Sequence, residues 1–459
     1  MSKPEIRCGL EVHAQLNFLQ SKLFCSCKID LSSNVNENTC PICRGLPGSL
    51  PSVNGDAVTF GLRLAKALSM KPVEILKFSR KHYDYPDLPK GFQITQNYDG
   101  ILGTEGFLPY KDEKFPIRQI QIEEDPAKLV YYHNKLVVDY NRSGICLIEL
   151  VTDPIFTNQD QIKAFLTQYR RLLYYLKISD TRKESSFRAD VNVSVGDHPR
   201  VEVKNVGADS DIIDAFLYEV SRQSTITDFS NIGMETRNWI PDKKKTEISR
   251  DKESNSDYKY MPEGNIPAIK IPQSYFKSLE LTRLPWIIEE GLKREFSLDE
   301  EQLQFLLNNI DVLGLFKSSM AIQKVSETVR KRFFWQEFLS WYNVKDSDLS
   351  EDQIKRILKI DFQLVAKLLV KLESNTVTNQ EFKKILKNYV LEGKSLEEAR
   401  EVDDTIINSV LEYLKTKYPD FFVELPIPNN KINRLVGLGV KYSKGKVNPK
   451  MLQKMLSEL

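Results

Sequence analysis

No run of apolar residues in this 459-residue chain approaches the ~18 that a bilayer-crossing helix needs, so no membrane partner is expected. The opening Met1-Ser2-Lys3-Pro4-Glu5-Ile6-Arg7 lacks the apolar core of a secretory signal and the Arg-rich character of an organellar presequence. A soluble intracellular protein is the expectation. Also missing are a G-x-x-x-x-G-K-[ST] loop, a G-x-G-x-x-G placed between strand and helix, and a G-x-S-x-G elbow, which excludes the commonest nucleotide-binding and hydrolase templates. There is no long repeat and no low-complexity tract. Net charge is nearly absent too: 65 basic against 63 acidic residues leave +2. Any contact with a polyanion must therefore come from a local patch.

That patch is at the end. From Lys431 to Leu459 seven basic residues (Lys431, Arg434, Lys441, Lys444, Lys446, Lys450 and Lys454) face one acid, Glu458. With 41% hydrophobic and 28% charged residues the composition is that of a globular protein, and the length suggests two to four domains at ~100–200 residues each.

Cysteine is scarce but placed. Four of the six, Cys25, Cys27, Cys40 and Cys43, form a C-x-C…C-x-x-C pattern with twelve residues between the halves. Two close pairs can set four sulfurs around a tetrahedral zinc ion. Disulfides or a vacant relic of such a site are the alternatives, and the lack of a secretion signal favours thiolates. Cys8 and Cys146 have no local partner and read as buried small hydrophobes.

The chain changes character near Pro285. Before it, short alternating or apolar runs such as Leu147–Val151 and Phe187–Val195 read as strands, interrupted by one helix whose stripe is Ile162, Phe165, Leu166, Tyr169, Leu172, Leu173 and Leu176. After it, Ser297-x-x-Glu300, Ser350-x-x-Gln353, Thr378-x-x-Glu381 and Ser395-x-x-Glu398 look like capping boxes at helix starts. Pro and Asn cluster again over 418–430. The expected fold is α+β with three domains: residues 1–285, a mixed-sheet domain with the zinc knuckle; 286–417, all helical; and 418–459, a small basic helical tail.

Phe187–Val195 and Arg200–Lys204 both alternate across a Gly196–Pro199 turn, which predicts a hairpin with Arg188, Asp190, Asn192 and Ser194 on one face beside Arg200, Glu202 and Lys204. A solvated face with cross-strand ion pairs is one reading. The other is a floor for a metal-bound phosphate, with carboxylates on Mg²⁺ and Lys or Arg on the transferring oxygens. Further acids favour the second: Glu11 beside His13, the run Glu123-Glu124-Asp125, and Glu149, which sits inside an apolar run and must be paired, hydrogen-bonded or metal-bound if buried. Tyr83–Gln93, rich in aromatics and prolines, reads as a functional loop or an ordinary surface loop.

At these residues the chain resembles the B-subunit family of the tRNA-dependent amidotransferases. The motifs run in order: Gly9-Leu10-Glu11-Val12-His13-Ala14-Gln15-Leu16, Cys40-Pro41-Ile42-Cys43-Arg44-Gly45-Leu46-Pro47-Gly48, Tyr85-Pro86-Asp87-Leu88-Pro89-Lys90-Gly91, Ile122–Asp125, Asp139-Tyr140-Asn141-Arg142-Ser143-Gly144, Arg188–Ser194, Glu202–Asn205, Glu235-Thr236-Arg237, Asp257–Glu263 and Lys444–Lys450. Asp84, Cys146 and Val206-Gly207-Ala208-Asp209 depart from the family's pattern.

The resemblance implies a kinase-like cradle domain followed by helical and tail domains that contact tRNA. ATP would phosphorylate the side-chain carboxylate of Glu-tRNA(Gln) or Asp-tRNA(Asn). Ammonia from the glutaminase (the A component), clasped by a small third component (C), would then displace the phosphate. The resemblance further implies Glu11, His13, Glu124 and Asp190 as Mg²⁺ ligands, with Glu149 and Lys204 in or beside the catalytic site, and Lys441, Lys444, Lys446 and Lys450 on tRNA. The Gly196–Pro199 turn looks like organellar members, so the mitochondrial matrix is expected in a eukaryote and the cytoplasm otherwise. Two alternatives stand beside this: a non-catalytic zinc-knuckle tRNA-binding scaffold, and a glutamate-only archaeal-type relative.

Overall fold

The computed structural model describes residues 4–459 except 31–32, 84, 98–99, 112, 227, 230–231, 250–257, 282–283, 341–348, 375, 397–405 and 424. Asp84, Asp257 and Glu398 from the sequence motifs lie outside the described residues. The chain divides into two compact units, Met1–Asn308 and Asn309–Leu459. No helix among the described residues is long and apolar enough to cross a membrane.

The first unit is built on a nine-stranded sheet. In chain order its strands are β1 (Ile6–Gln15), β2 (Lys71–Pro72), β3 (Gly103–Tyr110), β4 (Glu113–Glu124), β5 (Cys146–Thr152), β6 (Phe187–Val195), β7 (Val201–Val206), β8 (Glu235–Ile240) and β9 (Lys245–Ile248). They lie in the order β9-β8-β7-β6-β1-β5-β4-β3-β2, antiparallel throughout except for the parallel pair β7–β8. The predicted hairpin is β6–β7, and the predicted run around Glu149 is β5.

Alternation gives this sheet two unlike faces. Cys8, Leu10, Val12 and Ala14 of β1 are buried with Ile148 and Leu150 of β5 and Ala189, Val191 and Val193 of β6 in one apolar core. Helices α1 (Gly55–Ala67), α2 (Gln159–Tyr175) and α3 (Asp209–Ser224) supply further residues to that core. Asn54 and Asn158 cap the first two, each accepting two backbone N–H groups through its side-chain oxygen. The predicted stripe of α2 is buried in full, down to 1% exposure or less. The other face of the sheet carries the polar residues. A smaller three-stranded sheet, Met261–Pro262, Ser79–Lys81 and Gln93–Thr95, meets the end of β4, where Gln93 Nε2 donates to the Glu124 carbonyl at 2.8 Å.

Pro285 marks where strands give way to helices, but the first packing unit continues to Asn308. Helices α4 (Gln273–Ser278), α5 (Pro285–Glu295) and α6 (Glu300–Asn308) belong to it. Arg171 of α2, 6% exposed, donates through Nε to Asn308 Oδ1 and through Nη2 to Gln304 Oε1, both at 2.6 Å, and the Tyr175 hydroxyl reaches the Leu307 carbonyl. The cap of α6 falls two residues after the expected Ser297: Asp299 Oδ1 accepts from Gln302 N and Gln302 Oε1 accepts from Asp299 N. Aspartate caps as well as serine, and here it is followed three residues later by the glutamine that completes the box.

The second unit is helical. Ser350 and Gln353 form the expected box, and Thr378 caps helix Asn379–Glu392 through Glu381 N. At the end, helix Ile407–Lys417 shares a small core with Asn429–Tyr442 and Pro449–Ser457, in which Val410, Leu414, Leu435, Leu452 and Leu456 are buried. Gly439 lets them close up, because a Cβ there would stand 2.6 Å from Leu452 Cδ2.

A chain ending at Asn308 is expected to unfold cooperatively, whereas one ending at Leu284 loses the buried Leu292, Leu303, Leu306 and Leu307. It should be less stable by about 3 kcal/mol or more, the value of a few apolar side chains, in urea titration.

Candidate active site

Strand register gathers the polar face. Antiparallel pairing sets Glu11 opposite Asp190 and His13 opposite both Arg188 and Glu149, while β4 brings Gln121 opposite Glu149 and Glu123 opposite Leu147. On β7, Glu202 lies opposite Asn192, and Lys204, two residues on, shares its face. The result is two groups of potential ligands. His13 Nε2 is 3.4 Å from Glu123 Oε1 and 3.7 Å from Glu149 Oε2. The donor atoms of His13, Glu123 and Glu149 all lie within 4.8 Å of one another, as do those of Glu11, Asp190 and Glu202.

The groups are oriented by neighbours. Asn192 Nδ2 donates to Glu11 Oε1 at 3.1 Å, Gln121 Nε2 to Glu149 Oε2 at 2.7 Å, and Thr95 Oγ1 to Glu123 Oε2 at 3.2 Å. Asp190 sits at an irregularity in the β6–β7 pairing and accepts the Asn205 N–H at 2.7 Å, with Asn205 at φ 56°. Beside them Asp125 takes a bidentate Arg142 at 2.8 and 2.7 Å and an amide from Gln15, with Arg188 at 3.6 Å.

Burial dominates the electrostatics. It pushes the Glu11 carboxyl from its usual 4.5 up to about 7, with Asp190 and Glu202 adding repulsion. It raises Glu149 further, helped by Glu123 and Glu11, and raises Glu123 and Asp190. His13 is held neutral, well below its ordinary value, by burial and then by Arg188 and Lys81. Burial works against the Lys81 ammonium, but Glu123, Tyr260, Glu149 and Asp190 hold its pKa above the usual lysine value. The Lys81 Nζ also lies 4.4 Å from the Tyr258 ring centroid. Burial and mutual repulsion thus push Glu11, Glu123, Glu149 and Asp190 toward their protonated forms, a tendency that a bound cation would oppose. His13 Nδ1 and Asn192 Oδ1 are buried without a hydrogen-bond partner among the described residues. Oxygen donors with one neutral imidazole suit a hard divalent cation such as Mg²⁺.

Of the residues expected from sequence, Glu11, His13, Glu149 and Asp190 come together on this face, with Lys204 close enough to act electrostatically on Asp190. Glu124 does not join them. Its parity on β4 is that of Ile120 and Ile122, so it points to the opposite side, where Lys90 Nζ holds both oxygens at 2.5 and 2.6 Å and Ile94 N donates at 2.8 Å. Glu123 stands in its place. The alternation Ile120-Gln121-Ile122-Glu123 carries that signal. Glu202 and Arg188 are visible in the sequence as hairpin-face residues, but Lys81 is not, since a lysine in Ser79-Arg80-Lys81 has no local mark of burial.

The hairpin's polar face is half-buried and not open to solvent, and burial raises the Asp190 carboxyl.

Cys25, Cys27, Cys40 and Cys43 also gather, their sulfurs within 4.8 Å and all four free thiols. A hydrogen bond from Cys25 pulls the Cys43 thiol down to about 4, while burial pushes Cys27 up to about 11. Four soft donors at this spacing fit a tetrahedral zinc ion. The knuckle braces its surroundings: Gly45, at φ 65°, passes so close to Pro89 that a Cβ would lie 2.5 Å from its carbonyl oxygen. Pro89 precedes the Lys90 that holds Glu124. In the second unit Lys441, Lys444, Lys446 and Lys450 are all exposed.

The sequence profile of the GatB/GatE catalytic domain matches residues 6–277. The chain is 33% identical over 476 residues to the B subunit of the aspartyl/glutamyl-tRNA(Asn/Gln) amidotransferase of Sulfolobus acidocaldarius, spanning 99% of both. It is 31% identical to the corresponding subunit of Finegoldia magna over 98% of both chains. To the B subunit of the mitochondrial glutamyl-tRNA(Gln) amidotransferase of Candida tropicalis it is also 31% identical, over 99% of this chain and 96% of the relative.

With no divalent cation present, Glu11 keeps its proton to about 7 when folded but only to about 4.5 when unfolded. The stability it contributes is therefore fully present below about 4.5 and lost as pH rises through about 7. Added Mg²⁺ should raise the melting temperature more at pH 8 than at pH 5.5 in calorimetry; an equal or smaller rise at pH 8 counts against cation binding by these acids.

Proposed function

We propose, for a chain that belongs to the GatB/GatE catalytic-domain family, the work of the B subunit of a tRNA-dependent amidotransferase. It is part of a ligase that forms Gln-tRNA(Gln), Asn-tRNA(Asn) or both from the misacylated Glu-tRNA(Gln) and Asp-tRNA(Asn), making a carbon–nitrogen bond with glutamine as nitrogen donor. The observation that carries the mechanistic part is the convergence of Glu11, His13, Glu123, Glu149, Asp190 and Glu202 from five strands onto one face.

In this reading ATP is a substrate whose terminal phosphoryl group passes to the side-chain carboxylate of the aminoacyl group. Phosphoryl transfer needs little covalent help and much fixed charge. His13, Glu123 and Glu149 would hold one divalent cation and Glu11, Asp190 and Glu202 a second; when bound, these ions neutralise phosphate oxygens as Lewis acids. Lys81, Arg188 and Lys204 bring positive charge to the same face, and neutral His13 can ligate without first losing a proton. The backbone N–H of Asn205 fixes Asp190. Glu124 is assigned to holding Lys90 and not to metal.

Amidation then needs ammonia at the same carboxyl carbon, supplied by the glutaminase (A) partner, with the small C partner completing the assembly. The Cys25, Cys27, Cys40 and Cys43 cluster would bind structural zinc. The exposed tail lysines would bind the tRNA backbone. In a eukaryotic cell the mitochondrial matrix is the compartment this reading favours, in keeping with the full-length likeness to a mitochondrial relative.

Assembled with its partner subunits, Asp190→Asn or Glu149→Gln should lower tRNA-dependent ATP turnover and amide formation by at least about 100-fold, while Glu124→Gln acts mainly through stability. Amide formation at the wild-type rate in Asp190→Asn would remove the acid cluster from the chemistry. For the tail, Lys444→Glu with Lys446→Glu should weaken tRNA binding and reduce the slope of log affinity against log salt by about 1 per lysine in filter binding. An unchanged slope would take the tail off the phosphates.

A further inference from the structure

Three residues before Cys25 stands a lysine, Lys22, with none of its surface exposed. It has no task in the mechanism above. Lysine is almost never fully buried unless paired, because an ammonium withdrawn from water needs both hydrogen-bond acceptors and a counter-charge. The acceptors are present: Lys22 Nζ donates to the Tyr140 carbonyl at 3.1 Å and to the Asn38 carbonyl at 3.2 Å. Both are neutral, and among the described residues no carboxylate forms an ion pair with this ammonium.

What does lie beside it is the cysteine cluster. Lys22 N donates to the Cys27 carbonyl at 2.9 Å, and Ser21 bridges to Lys28, so Lys22 is built into the base of the turn that carries Cys25 and Cys27. On the other side, a Cβ placed on Gly144 would stand 3.8 Å from both Lys22 Cδ and Cys43 Cβ, which puts the two side chains around one point of the chain. Lys22 is close enough to act electrostatically on the Cys43 sulfur.

The segments that hold the ammonium also frame the sulfurs. Asn38 lies between the two cysteine pairs, and its N–H bonds to Asn141 Oδ1 at 2.9 Å. Ser143 Oγ donates to the Cys43 carbonyl and Leu23 N to the Gly144 carbonyl, each at 2.8 Å. Asn36, in the same loop, donates to Asp139 Oδ1 and to the Val138 carbonyl, at the root of the hairpin made by strands Lys128–Tyr132 and Lys135–Asp139. Positive charge and sulfur are thus fixed relative to one another by the same stretches of backbone.

Four thiolates around one divalent ion leave two negative charges, here in a site where Cys25 is 8% and Cys43 4% exposed. An anion so shielded from water needs a cation nearby as much as the buried ammonium needs an anion. We infer that Lys22 is the counter-ion of the metal-loaded knuckle, a residue outside the four ligands whose fixed positive charge raises the affinity of Cys25, Cys27, Cys40 and Cys43 for zinc. This role rests on the reading of those cysteines as a zinc site.

With the full chain assembled with its partner subunits, zinc affinity is measured by competition with a chromophoric chelator at neutral pH. Lys22→Met, which keeps the apolar stem and removes the charge, should weaken zinc binding about 10- to 100-fold, the usual cost of losing an outer partner of a metal site. In a Cys27→His chain, whose loaded set carries one negative charge fewer, the same Lys22→Met change should cost distinctly less. Unchanged affinity in Lys22→Met overturns the proposal, and an equal cost in both backgrounds does so too, since it makes Lys22 a packing residue. A Lys22→Met chain that fails to fold in excess zinc also overturns it, by assigning the lysine to the fold alone. A wild-type complex that takes up no zinc refutes the zinc reading itself, and the role of Lys22 with it.

Discussion

Five carboxylates crowded on one sheet face and largely withdrawn from water are the constraint around which the rest of the first unit is arranged. Isolated, such charges would neutralise by protonation, and the upward shifts of Glu11, Glu123, Glu149 and Asp190 express that tendency. Lys81, Arg188 and Lys204 offset only part of the repulsion. What remains is repulsion that, in the function proposed, bound small cations would offset. The apolar opposite face, packed under α1, α2 and α3, supplies the rigidity that keeps like charges at close range.

Two outer elements keep that face in order. The Lys90–Glu124 pair ties the Tyr85–Gly91 loop to the end of β4, and Gly45 lets the cysteine knuckle press against the same loop at Pro89. Asn36 extends the brace to the hairpin beyond β4. The cysteine cluster therefore stands apart from the acids in chemistry, soft sulfurs against hard oxygens, yet its loop packs against the segments that frame them. In the second unit the small core joining Ile407–Lys417 to the last two helices leaves the tail lysines on the outside, where an anionic partner can meet them.

Much of this is legible in the sequence. The alternation of Phe187–Val195, the apolar run around Glu149, the stripe of α2, the caps at Ser350 and Thr378 and the cysteine spacing each appear where expected, because each is a local signal, carried by neighbours within a few residues. The misplacements are of another kind. Asp299 replaces Ser297 as the cap of α6 because two competent caps lie within two residues. Motif alone points to Glu124 over Glu123, although adjacent strand residues face opposite ways, and only the depth of Glu124 beside Lys90 makes an acid tolerable on the apolar side.

By itself the order of residues determined the sheet-then-helix layout, the pairing of the four cysteines, the hairpin and the family resemblance, since periodicity, spacing and motif are properties of the chain. Tertiary structure alone decided that the acids divide into two groups, that Lys81 comes close enough to feel members of both, and that the first unit runs past Pro285 to Asn308. Those outcomes depend on register between strands far apart in sequence, as when Asn192 reaches Glu11 across 181 residues, and on burial, which no short window of sequence contains.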